Sequence, residues 1–142
     1  MKKAKGFTLL ELMIVVVIIA IIAAFAMFNY AKYGYRSRRV DGKEMLARVA
    51  AAEERYYTSF NAYTNTMTDL GYNATNQCSA AGCSDKGYYL ISSANGATSD
   101  NQSYTLTATA RAPQDKDACG NLTLDYKNGK GYSGNQSNGN CW

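Results

Sequence analysis

A chain of 142 residues with four cysteines, one proline and no histidine has room for one small domain and an appendage. Without histidine, a Ser/His/Asp catalytic set and mixed Cys/His zinc ligation are both excluded, and no glycine-rich phosphate loop is present. The net charge of +4 owes three charges to Lys2, Lys3 and Lys5; from Tyr56 onward five basic residues face six acidic ones, which argues against nucleic acid as a partner.

The first element in chain order is apolar. Leu12 to Ala31 is a run of 20 residues without a formal charge, roughly 30 Å as a helix and so a match to a bilayer's hydrocarbon core. It is longer than a secretory h-region of about 7–15 residues, and no small-x-small cleavage site follows it. Instead the chain continues as "NYAKYGYRSRRVDGKEMLARVAAAEERYYTSF", where Met45, Val49, Ala52, Tyr56 and Phe60 recur at helical spacing. Arg48, Glu53, Glu54 and Arg55 read as a solvated flank beside that stripe, and Gly34 and Gly42 are the only helix-weakening residues between Phe7 and Phe60. The pattern predicts one helix from about Phe7 to Ser59, apolar all round in its first half and amphipathic in its second.

The stretch from Asn61 to Lys86 has no sustained periodicity and reads as an irregular connection. Strand signals then follow at 87–93 ("GYYLISS"), 103–110 ("SYTLTATA") and 121–126 ("NLTLDY"), separated by Asn95-Gly96 and the polar run "TSDNQ". Asn128-Gly129 predicts a type I′ hairpin into "KGYS" at 130–133. The expected fold is α+β: the long helix packed on a small antiparallel sheet of three or four strands. Asp115 and Asp117 lie in a turn-like stretch and read as solvated. Most of the tyrosines read as packing residues, with Tyr56, Tyr57 and Tyr63 at the helix–sheet junction and Tyr88, Tyr89 and Tyr104 in strands.

All four cysteines, Cys78, Cys83, Cys119 and Cys141, lie in the polar part. Their spacing departs from paired C-x2-C zinc ribbons, and an even count beyond a membrane-targeting segment points to two disulfides formed in an oxidising compartment. Three connectivities are open; the sequence-local one, Cys78–Cys83 with Cys119–Cys141, is preferred. A Cys119–Cys141 bond closes a loop of about 23 residues, worth roughly 3 kcal/mol by chain entropy.

One carboxylate, Glu11, stands inside the apolar segment, where an acidic residue costs roughly 2.5–3.5 kcal/mol near the centre of a spanning helix. The stretch around it, "KGFTLLELMIVVVIIAIIAA" from Lys5 to Ala24, resembles the N-terminus of type IV pilins: a short basic leader ending in Gly6, then Phe7, then a glutamate four residues later in an aliphatic helix. The ending "DACGNLTLDYKNGKGYSGNQSNGNCW" is similar to minor pilins of the type IVa system. The resemblance implies the pilin fold, with a leader at 1–6, a membrane and filament-core helix at 7–31, an amphipathic half at 32–60, an αβ-loop at 61–86, and a sheet with a disulfide-closed end at 87–142.

By the same resemblance, prepilin peptidase cuts between Gly6 and Phe7 and methylates the new amine of Phe7, and Glu11 pairs with that amine when subunits dock. The carboxylate has an unadorned reading too, a charge placed near the helix start where the dipole favours it. The implied protein is a non-enzymatic subunit without cofactor or metal, a minor pilin acting in assembly, motility and adhesion. It would sit in the inner membrane before assembly and in an extracellular pilus afterwards, with other pilin subunits as partners. A major shaft pilin, a DNA-binding competence pilin and a secretion pseudopilin are the alternatives. Arg36, Arg38 and Arg39 follow the span on the far side from the leader, where anionic lipid headgroups or neighbouring subunits' carboxylates would meet them. Related stems carry a glycine and a proline where Ala20 and Phe28 stand here, so this stem is expected to stay helical, with Gly34 its candidate bend.

Overall fold

The computed structural model describes residues 6–75, 78–95 and 101–142, and of residues 27–29, 31 and 95 the backbone alone. The expectations placed on Lys2, Lys3, Lys5 and Gly96, and on the first part of "TSDNQ", lie outside the described residues. One helix, α1 (Leu9–Phe60, 52 residues), is followed by four strands: β1 (Tyr89–Asn95), β2 (Tyr104–Ala110), β3 (Leu122–Asp125) and β4 (Lys130–Tyr132). The helix runs through Ala20 and Phe28 without a break. The chain divides into two compact units, Met1–Gly34 and Tyr35–Trp142.

In the first unit the segment Leu9–Ala26 has a mean hydropathy of 3.0 and none of it is buried. Branched side chains at every azimuth leave it no polar face to present to water, so this surface is stable only against lipid or other helices.

In the second unit the strands form an antiparallel meander in the order β1-β2-β3-β4. Alternation along the strands sends Tyr89, Ile91, Tyr104, Leu106, Ala108, Leu122 and Leu124 to one face, where they pack on Met45, Leu46 and Val49 of α1. The helix comes close to the sheet at Gly42, where an added Cβ would stand 2.7 Å from Cδ2 of the buried Tyr89 ring. The free edge of β1 is covered from the αβ-loop: Ser84 N–H donates to the Tyr89 carbonyl and Ile91 N–H to the Gly82 carbonyl, both at 2.9 Å. The bonds Cys78–Cys83 and Cys119–Cys141 are both formed.

Three local expectations are corrected. The buried residues of α1 are Arg39, Asp41, Gly42, Met45, Leu46, Val49, Ala52 and Glu53. The predicted stripe is right at Met45, Val49 and Ala52, which are buried, but Phe60 is 64% exposed because the helix outruns the sheet, and the Tyr56 ring lies tilted against Phe60 instead of entering the core. Glu53, read as solvated, is fully buried. The β3–β4 connection is also not a two-residue type I′ turn. Asp125 pairs with Gly129 across residues 126–128, Asn128 takes the positive φ of 63°, and the Asp125 carboxylate accepts the N–H groups of Lys127 and Gly129. The aspartate at the loop entrance caps those donors and so selects the longer loop.

Candidate functional site

In the first unit, Thr8 is the residue before α1, and its hydroxyl accepts the Glu11 N–H at 3.2 Å. This is half of a capping box, with Glu11 at the third helical position, where free N–H groups and the helix dipole favour a carboxylate. Phe7 precedes the cap, and Phe7, Glu11, Leu12 and Val15 border an apolar dent of about 200 Å³. Both Phe7 and Glu11 are solvent-exposed in the single chain, so the carboxylate is presented beside bare aliphatic surface, without a side-chain partner among the described residues.

The second unit is tied together by charges that a linear reading scatters. Arg39 forms a two-pronged ion pair with Asp117, Nε to Oδ2 at 2.5 Å and Nη2 to Oδ1 at 2.6 Å, with both side chains buried. The guanidinium also donates to the carbonyls of Asn140 (2.8 Å) and Asn138 (3.0 Å), and Gln114 and Asn138 donate amide N–H groups to the same carboxylate. Burial works to raise the Asp117 carboxyl, but the hydrogen bonds and charge of Arg39, with Asn138, outweigh it and hold it below the ordinary range. Asp117 is therefore not solvated, and Arg39 is not left for lipid or neighbours. Arg36 donates to the Asn138 carbonyl at 3.0 Å, and Arg38 lies over the Tyr35 and Tyr88 rings. Asp115, on the short turn Gln114–Lys116, is exposed.

At the other end of the buried face, Glu53 accepts the Ser93 hydroxyl at 2.8 Å and the Thr64 N–H at 3.2 Å, joining α1 to β1 and to the αβ-loop. Burial pushes its carboxyl up, against the pull of those two donors. Beside it, Tyr57 stacks on Tyr63, and the Tyr63 ring meets Tyr104 edge-on at 4.8 Å.

A groove of about 760 Å³ runs between α1 and the β3–β4 hairpin. Its floor is Ala47, Ala50 and Ala51, and its walls carry Lys43, Tyr126, Lys130 and Trp142. The Trp142 indole is fixed by Nε1–H to the Gly131 carbonyl at 2.7 Å, and the Lys43 and Lys130 ammoniums lie 5.9 and 5.4 Å from its ring centroid. Lys127 stands 5.2 Å over Tyr126. Burial, then the positive charges of Arg39 and Lys130, lower the Lys43 ammonium from its ordinary value. Among the described residues no cluster of three or more potential metal ligands occurs.

Residues 1–27 match the prokaryotic N-terminal methylation motif, and residues 29–123 match the family described as "Type IV minor pilin ComP, DNA uptake sequence receptor". The chain belongs to this type IV minor pilin family. A solved type IV pilin from Shewanella oneidensis superposes with a TM-score of 0.50 at 26% identity, covering 76% of this chain and 97% of that one. The pilin fold expected from the N-terminal motif is therefore the fold found. The type IV major pilin protein PilA of Myxococcus xanthus is 37% identical over 68 residues, 48% of this chain and 31% of that protein, so the match spans under a third of that relative's length.

The Gly6, Phe7 and Glu11 set was visible in sequence because a pilin N-terminus is contiguous. Arg39, Asp117 and Glu53 were read as facing solvent, lipid or neighbours, because the partners that bury them lie 40 to 78 residues away.

Proposed function

We propose that this minor pilin is a non-enzymatic subunit of a type IV pilus, held in the inner membrane by α1 and then drawn into an extracellular filament. One observation carries the reading: the methylation motif over residues 1–27 coincides with a helix whose apolar surface, Leu9–Ala26, is entirely bare. Cleavage between Gly6 and Phe7 would create a positive amine just ahead of the cap, and the exposed Glu11 carboxylate is the opposite charge placed to receive a neighbouring subunit's amine. Unpaired, either charge is costly among aliphatic side chains; paired, the cost falls steeply. Glu11→Ala should leave membrane insertion and leader cleavage intact and abolish incorporation into sheared pili, read by immunoblot of cell and pilus fractions. Wild-type incorporation of the variant would overturn the assembly role. The family match supports a minor role over a shaft role, and counting copies by mass spectrometry of sheared pili tests that choice.

A second reading, DNA binding by the second unit, is favoured by the matched family's description as a DNA uptake sequence receptor. The near-neutral charge of this region argues the other way only if its charges are evenly available. They are not, since two of the six carboxylates counted from Tyr56 onward, Asp117 and Asp85, are paired with Arg39 and Arg48 of α1.

A further inference from the structure

We infer that the groove between α1 and the β3–β4 hairpin is where DNA seats, with Lys43, Lys127 and Lys130 taking its phosphodiester backbone. The inference rests on the DNA-binding reading and assigns it a surface and a mode.

Charge availability is the first ground. Among the described residues the ion pairs are Arg39–Asp117 and Arg48–Asp85, and none involves these three lysines. Each instead lies over an aromatic ring, Lys43 and Lys130 on Trp142 and Lys127 on Tyr126. A ring face holds an ammonium in place without neutralising it, so the charge stays available to an anion. The second ground is where the local carboxylates point. Asp125 accepts the backbone N–H groups of Lys127 and Gly129 inside its own loop, and Glu54 accepts the Tyr63 and Tyr104 hydroxyls. Both acids beside the groove thus have donors within the fold, whereas the lysines have rings. The third ground is the crowding of Lys43 against Arg39 and Lys130, a like-charge cost that a bound anion removes.

The mode follows from the same contacts. Ammoniums already cover the Trp142 and Tyr126 rings, so bases do not stack there, and lysine is a point charge without base-edge geometry. Contacts of this kind position a duplex and supply affinity, but they carry no sequence information. Any choice between DNA sequences must be made elsewhere on the protein.

The test uses the full chain in neutral detergent, with fluorescein-labelled 24-bp duplexes of two unrelated sequences titrated by anisotropy from 0.05 to 0.3 M NaCl. Each phosphate contact releases about 0.9 counterions, so Lys43→Ala with Lys130→Ala should weaken binding about 30-fold at 0.15 M salt and lower the log–log salt slope by about 2. Both duplexes should lose equally. Lys43→Arg with Lys130→Arg should retain binding, which separates lost charge from lost fold, and Lys86→Ala with Lys116→Ala, exposed lysines outside the groove, should bind as wild type. No binding by the wild-type chain at 0.05 M salt would overturn the DNA reading and this site with it. Wild-type binding that the groove double variant keeps would overturn the site and leave the reading standing. Binding of heparin, but not DNA, that the double variant loses would also overturn the proposal, in favour of an acidic glycan.

Discussion

Replacing Arg39 with alanine tests whether the second unit is closed by charge as well as by packing. The substitution removes four hydrogen bonds, two to Asp117 and one each to the carbonyls of Asn138 and Asn140. It also leaves the Asp117 carboxylate fully enclosed, with the amides of Gln114 and Asn138 and the Cys119 backbone N–H as its remaining donors. Removing one partner of a buried pair costs about 3–5 kcal/mol, chiefly because the other charge is stranded. For a unit of this size each kcal/mol shifts the midpoint by roughly 4 °C, so a fall of about 12–20 °C is expected. Trp142 is the only tryptophan, and its indole N–H is fixed to Gly131, so its emission in the detergent-solubilised chain reports undocking of this region. Asp117→Leu added to Arg39→Ala should cost less than the two single changes summed, because no unpaired charge remains. A midpoint loss under about 4 °C, or strict additivity of the two changes, would refute the account.

Two further changes probe the helix–sheet seam. Gly42→Ala should destabilise by about 1 kcal/mol net: alanine gains up to about 1 kcal/mol of helix propensity, but its Cβ meets a Tyr89 ring that cannot swing away, and overpacking costs about 1–3 kcal/mol. A raised melting midpoint would show that the ring yields. Glu53→Gln addresses pH. The Glu53 carboxyl is raised above its ordinary value of 4.5, so its contribution to stability is fully present below about pH 4.5 and is lost as pH rises through the folded-state value. Glutamine can accept from Thr64 N–H and donate to the Ser93 oxygen, so the variant should be more stable than wild type at pH 7 and equal to it near pH 4. Melting curves from pH 4 to 8 that stay parallel for the two proteins would contradict the assignment.

Sequence periodicity located the strands because alternation is local, and all four begin within two residues of their predicted starts. What it missed has a single physical cause. The buried face of α1 begins with an arginine and ends with a glutamate, so an apolar-only template finds Met45, Val49 and Ala52 but passes over both charged ends and runs on to Tyr56 and Phe60. A charge is legible as buried only once its partner is known, and Asp117 is 78 residues from Arg39 while Ser93 is 40 from Glu53. The hairpin was misread for a related reason. Asn-Gly favours a type I′ turn, but the preceding Asp125 offers a carboxylate to two loop N–H groups, and those bonds outweigh the dipeptide's preference. In contrast, the Glu11 motif needed no tertiary knowledge, because its residues are contiguous in the chain.

The features of the second unit converge on its last residues. The Cys119–Cys141 bond, the Arg39 donors to the Asn138 and Asn140 carbonyls, and the Trp142 bond to Gly131 all hold the same terminal segment. That segment ends in the ring over which Lys43 and Lys130 lie. The core does not need three separate ties on a stretch that contributes only Cys141 to it and packs Trp142 at its margin. The ties do set the distance between Trp142 on one wall of the groove and Lys43 on the helix, and so keep three like charges within reach of one polyanion. Arg39→Ala should therefore weaken duplex DNA binding even at temperatures where the protein remains folded, although Arg39 is itself buried and touches no ligand. Loss of affinity without the drop in salt slope seen on removing Lys43 and Lys130 would mark Arg39 as positioning the cations rather than adding one. An equal drop in slope would mean that its charge reaches the phosphates directly.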